Sequence, residues 1–203
     1  MPKQRENKKI IIGVTGSFGS GKSTVSGILA AYGARIIDAD KIAANCLKAG
    51  SRIYQKVISA FGDKVIAKDG EIDRAGLAKI VFNDKKLLKK LNHIVHPEVI
   101  RMIKAKIDSI KKGVIILDAP LLLEAGLVKA VDKLIVVTID PDTQIKRLLK
   151  KTRLKRADIL KRIRSQISQN AKSRFANFII DNSSSLRSTK KQVLQIRRKL
   201  WKS

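Results

Sequence analysis

The sequence predicts an α/β fold, a five-stranded parallel sheet flanked by helices, on three observations. Five short apolar runs are set apart by stretches with helical patterning. The first run ends directly in a glycine-rich loop, and an amphipathic helix follows that loop at once.

Ile10–Thr15 (IIIGVT) reads as a buried parallel strand, apolar on both faces. After the loop, Val25, Ile28, Leu29 and Tyr32 fall at i, i+3, i+4 and i+7, one face of a helix. Gly33 follows in a position that commonly stops a helix. Ala34–Asp38, Val114–Asp118, Leu134–Ile139 and Phe178–Asp181 supply the other strands. Between the second and third strands lie residues 39–113, far more than the ~10–15 residues of a simple crossover. Leu77, Ile80, Val81, Leu87, Leu88 and Leu91 recur there in helical patterns, with a turn signal at Lys68-Asp69-Gly70. This stretch predicts an inserted helical subdomain, about 50–112. Pro141 suits the start of the helix after the fourth strand. Leu186, Val193, Ile196 and Leu200 mark a C-terminal helix.

The 203 residues suffice for one substantial α/β domain with an insertion. A hydrophobic fraction of 44% and a charged fraction of 30% are those of a globular protein, and no run approaches the ~20 apolar residues of a membrane helix. The N-terminal MPKQRENKKI lacks the apolar run of a secretory signal and reads as a short disordered lead-in. Cys46 is the single cysteine, which excludes an internal disulfide and any multi-cysteine metal site. Composition thus places the chain in the cytoplasm by default, with no membrane partner.

The charge is unusual: 44 Lys and Arg against 17 Asp and Glu, a net +27. Such a surplus attracts polyanions. It is concentrated at 146–164, where ten basic residues face only Asp158, and at 187–202, with seven and no acid. The first of these segments is either a solvated charged helix pair or a lid whose arginines, Arg147 and Arg153, close over phosphates. Aromatic residues are 4%, so a base-stacking platform is not evident.

Gly16–Thr24 (GSFGSGKST) meets the pattern G-x-x-x-x-G-K-[ST], a P-loop. Gly16, Gly19 and Gly21 let the backbone curl so that amides point at phosphate oxygens, with Ser17, Phe18, Ser20 and Thr24 completing the cradle. Lys22 reaches the β- and γ-phosphates, and the Ser23 hydroxyl ligates Mg²⁺. These residues predict binding of ATP with magnesium.

Carboxylates decide what becomes of the γ-phosphate. Asp38 and Asp40 stand two apart at the end of the second strand, and in an extended chain they point the same way. One of them can accept a proton from an attacking hydroxyl while the other supports the metal shell; alternatively Asp38 caps the next helix. Asp118 ends VIILD in the position of a metal-holding Walker B carboxylate.

The motifs TGSFGSGKST, IIDAD (36–40), DGEIDRAGL (69–77), LNHIVHP (91–97), APLLLEAGL (119–127), Gln166 and IIDN (179–182) occur in an order that resembles the dephospho-CoA kinase family. The resemblance covers about Ile11 to Asn182. It implies a P-loop kinase core (about 8–49, 113–145 and 175–203), an acceptor-binding insertion (about 50–112) and a lid (about 146–174). It implies transfer of the ATP γ-phosphate to the ribose 3′-hydroxyl of dephospho-CoA, the last step in making coenzyme A. On the same basis Asp40 is the general base, and Asp38, His96, Pro97, Leu121 and Glu124 lie on the acceptor side. Arg147 corresponds to a lid arginine, and Asn182 lies near the adenine of ATP. Ser17 and Phe18 depart from the family's glycine and smaller aliphatic residue, and Lys151 stands where a second lid arginine is expected.

Two other readings compete. Another nucleoside or nucleotide kinase shares this architecture, although the long His-Pro insertion argues against it. An ATP-switched nucleic-acid-binding protein has only the charge in its favour, and no specific nucleic-acid partner is expected.

Overall fold

Strands β1 (Ile10–Gly16), β2 (Arg35–Asp38), β3 (Val114–Asp118), β4 (Lys133–Thr138) and β5 (Phe178–Asp181) form one sheet in the order β2-β3-β1-β4-β5. Every neighbouring pair is parallel, as the apolar runs predict. The computed structural model describes residues 9–200, so most of the N-terminal lead-in lies outside the described residues. No described helix is long and apolar enough to cross a membrane.

The chain divides into two compact units, residues 1–38 with 107–203, and residues 39–106. The first holds the sheet. One sheet face buries Ile12, Val14, Ile116, Ile135 and Ile180 against Val25 and Leu29 of α1 (Lys22–Ala30) and Val193 and Ile196 of the C-terminal helix Leu186–Leu200. The alternate positions Ile115, Leu117, Leu134 and Val136 are equally buried, as in a sheet covered on both faces. Helix α1 stops at Ala30 and the chain turns through Gly33, whose φ of 93° suits glycine. Tyr32, expected on the helix face, lies beyond the helix, with the Arg197 guanidinium 4.8 Å from its ring centre.

The second unit carries α2 (Ala39–Cys46), α3 (Arg52–Phe61), α4 (Arg74–Asn83) and most of α5 (Lys85–Ser109). Its core includes Ile42, Ile53, Val57, Phe61, Leu77, Val81, Val95, Val99 and Ile103. Ser51 caps α3 by accepting from the Tyr54 amide, and Asp73 caps α4 by accepting from Ala75 and Gly76. The turn at 68–70 closes an antiparallel bridge between Ile66 and Ile72. The unit begins at Ala39 rather than near Gly50. Ile42 and Cys46 of α2 are buried, the Ser51 hydroxyl donates to the Cys46 carbonyl (2.5 Å), and the Ala49 amide donates to Glu71 (3.0 Å).

Three helices follow the fourth and precede the fifth strand: α6 (Pro141–Lys151), α7 (Arg156–Arg164) and α8 (Gln169–Ser173). Pro141 opens α6, and Asp140 caps it by accepting from the Thr143 amide. The C-terminal helix is α9 (Leu186–Leu200).

Candidate active site

The glycine-rich loop joins β1 to α1 at the carboxyl end of the sheet, where parallel sheets hold their ligands. Helix α1 opens at Lys22; the Thr24 and Val25 amides donate to the Gly21 carbonyl, and helix geometry leaves the Lys22 and Ser23 amides ahead of them without a helical acceptor. Gly21, the residue before it, is left-handed (φ 92°) and provides no side-chain cap. A Cβ at Gly21 would collide with the Asn182 amide, so the turn demands glycine in both angle and space. The helix end therefore presents amides and a positive dipole to an anion.

Residues from later in the chain hold the loop's shape. The Phe18 amide donates to Gln166 Oε1 (2.8 Å), while Gln144 Nε2 donates to the Phe18 carbonyl (2.5 Å) and to Ser17 Oγ (3.0 Å). The Arg162 guanidinium lies 5.6 Å from the centre of the Phe18 ring. The two departures from the family pattern, Ser17 and Phe18, are thus both gripped by the α6–α8 segment. Asn182 is buried: its Nδ2 donates to the Ser20 carbonyl (2.8 Å), and its Oδ1 accepts from the Thr189 hydroxyl (2.8 Å). Arg147 donates to the carbonyls of Asn182 (2.6 Å), Ser183 (3.3 Å) and Ser184 (2.8 Å). Here its guanidinium fixes the loop after β5.

Asp38 and Asp118 end the adjacent strands β2 and β3 and are register partners. Asp38 is exposed and Asp118 is buried. Burial pushes the Asp118 carboxyl above its ordinary pKa; the Lys22 ammonium and the Ser26 hydroxyl oppose this, and the Asp38 charge adds to it. Lys22 thus acts on Asp118 from the start of α1. Ser23, on the same first turn, is exposed. The donor set suits a hard cation. The Ser23 hydroxyl and the two carboxylates are oxygens, and Mg²⁺ takes one or two carboxylates with substrate phosphates rather than an all-protein cage. Among the described residues there is no cluster of three or more His, Cys, Asp or Glu able to hold an ion.

Beyond β3, Pro120 and Glu124 are held from α8. Lys172 donates to the Pro120 carbonyl (2.6 Å) and pairs with Glu124 (3.0 Å). Leu121 beside them is half-buried.

Asp40, His96 and Pro97 belong to the helical unit. β2 ends at Asp38 and Asp40 lies in the first turn of α2, so the two carboxylates are not alternate residues of one extended strand. The helical turn replaces the parallel placement that spacing suggested. An acidic residue in a first turn also complements the helix dipole. His96 and Pro97 sit inside the 25-residue helix α5, not in a turn or at a helix start. The helix continues through Pro97, whose nitrogen has no hydrogen for the carbonyl of His93. Nothing local in the sequence singles out Gln144 or Lys172: a glutamine in a helix and a lysine in a basic region read as solvated.

The strand order, the phosphate loop and the carboxylates at neighbouring strand ends define a P-loop kinase fold. The chain belongs to the dephospho-CoA kinase family: the family's sequence pattern (CoaE: dephospho-CoA kinase) matches residues 10–188. It is 47% identical to a dephospho-CoA kinase of Carboxydothermus hydrogenoformans over 195 residues, covering 95% of this chain and 94% of that protein. Among solved structures it is similar to TT1252 from Thermus thermophilus (TM-score 0.80, 31% identity, 95% and 98% of the two chains). It is also similar to the dephospho-CoA kinase from Campylobacter jejuni (TM-score 0.68, 29% identity, 95% and 98%).

Proposed function

We propose that this chain transfers the γ-phosphoryl group of ATP to the ribose 3′-hydroxyl of dephospho-CoA, giving coenzyme A and ADP. The observation that carries the reading is the phosphate loop at the start of α1, with Asp118 at the adjoining strand end. The 3′-oxygen attacks the γ-phosphorus, the bond from that phosphorus to the β,γ-bridging oxygen breaks, and ADP leaves. Asp40 accepts the hydroxyl proton. Loop amides and Lys22 hold the β- and γ-phosphates, and Asn182 keeps the loop's shape. Ser23 and Asp118 would hold magnesium, which when bound neutralises charge on the phosphate oxygens. The helical unit 39–106, with His96 and Pro97, takes the acceptor, and Asp38, Leu121 and Glu124 lie on the acceptor side. The segment 146–174 forms a lid, in which Arg147 organises the loop beside the adenine.

The test is ADP release with dephospho-CoA against adenosine, AMP and no acceptor. Release that depends on dephospho-CoA is expected; equal release in all four arms removes the assignment. Asp40→Asn is expected to lower kcat by about a thousandfold with ATP binding retained, the scale of losing a general base. Turnover near that of the parent removes Asp40 from that role.

A further inference from the structure

Among the described residues Lys172 is the largest fully buried side chain, and the only one of those that carries a charge. Removing an ammonium from water is costly unless it is paired and hydrogen-bonded. Here it is both. Its Nζ lies 2.6 Å from the Pro120 carbonyl, 3.0 Å from Glu124 Oε1 and 3.4 Å from Glu124 Oε2. The two acceptors are themselves shared. The Pro120 carbonyl also accepts from the Thr15 hydroxyl (3.2 Å), one residue before the phosphate loop begins at Gly16. Glu124 Oε1 also accepts from the Ile167 amide (3.0 Å), in the connection between α7 and α8. One ammonium therefore ties together the end of β1, the segment after β3 and the root of the basic α6–α8 segment.

Glu124 is the only acidic residue between Asp118 and Asp132. Without a counter-charge it would present a carboxylate to substrates that are themselves polyanions. We propose that Lys172 is a positioning residue of the transfer site: it neutralises Glu124 and fixes residues 120–124 against the phosphate loop, so that the phosphorylated acceptor meets a neutral, ordered segment. This rests on the kinase reading above for the identity of the acceptor, while the pin itself stands on geometry alone. Burial pushes the Lys172 ammonium below its ordinary pKa, and Glu124 opposes that shift.

The experiment uses the full chain and the variants Lys172→Met, Glu124→Gln and the double variant. Hydrogen exchange at the Ile167 amide reads the pin, and initial rates with ATP and dephospho-CoA read its consequence. In Lys172→Met, exchange at Ile167 is expected to speed up, and KM for dephospho-CoA to rise about tenfold with KM for ATP changed less than about threefold. The double variant, lacking both charges, is expected to recover most of that KM. A merely structural lysine would lower kcat or yield without this split and without recovery. If Lys172→Met does not fold, the comparison moves to Glu124→Gln against the double variant. The inference stands if the double variant folds with a KM for dephospho-CoA within about threefold of the parent. Unchanged Ile167 exchange in Lys172→Met, or a double variant no better than the single, overturns it. If the parent chain shows no release dependent on dephospho-CoA, the kinase reading fails, and Ile167 exchange alone then decides the pin.

Discussion

Two buried charges near the carboxyl end of the sheet, both pushed by burial toward their neutral forms, differ in their partners. Lys172 is enclosed by acceptors, a carbonyl and a carboxylate. Asp118 is buried with its carboxyl pushed up in pKa, because Lys22 and Ser26 do not fully offset its desolvation. A buried charge paired in this way organises the chain around it, although burial still pushes the Lys172 ammonium below its ordinary pKa. An under-compensated one is held at the expense of stability and favours an added positive charge. The difference separates a lysine that ties three segments together from a carboxylate whose desolvation its neighbours only partly offset.

Of the variants that probe this contrast, Asp118→Asn should produce the largest effect. Loss of turnover by at least about a hundredfold is expected, the scale of removing one electrostatic contact to the transition state. The same variant should be more stable than the parent, by on the order of 1 kcal/mol or about 3 °C in Tm. Differential scanning calorimetry checks it; a fall in Tm would show that Asp118, like Lys172, holds its surroundings together.

Lys172→Met should do the reverse to stability. Removing one partner of a buried pair costs about 3 kcal/mol, because Glu124 is left uncompensated. Urea denaturation reads this, and no measurable loss would mean that Glu124 turns to solvent.

Gln166→Ala addresses the loop itself. It leaves the Phe18 amide without its acceptor, and KM for ATP should rise about fivefold, as for a lost neutral hydrogen bond of about 1 kcal/mol. An unchanged KM would show that the Gln144 bonds suffice.

The smallest effect is in pH. The folded-state pKa of Asp118 is raised, so the native state binds the proton more tightly than the unfolded chain. Its relative stability is highest below the unfolded carboxyl value and falls as pH rises through the folded one. The stability gap between Asp118→Asn and the parent should therefore be wider at neutral pH than at pH about 4. A gap independent of pH would contradict the raised value.

The fold was legible because its signals are local. Strands buried on both faces must be continuous apolar runs, and the Ile10–Thr15 and Val114–Asp118 runs are. Gly19 and Gly21 are legible because the loop turns through positive φ at both, which glycine adopts most readily. Asp38 and Asp40 show where this stops. Their spacing was visible, but the onset of α2 at Ala39 changes where the second carboxylate sits. Helix ends depend on capping and packing that spacing does not encode.

The parallel sheet, the glycine-rich loop and the family could be read from residue order alone, since each rests on residue types in characteristic local patterns. Only the tertiary structure decided which polar groups are buried and what compensates them. Gln144 reaches back to Phe18 across 126 residues, and Lys172 to Pro120 across 52. In a chain with 44 basic residues, no local pattern distinguishes Lys172, the one lysine among the described residues withdrawn from water. Desolvation is a property of the surroundings, and the surroundings of Lys172 are assembled from strands and helices far apart in the chain.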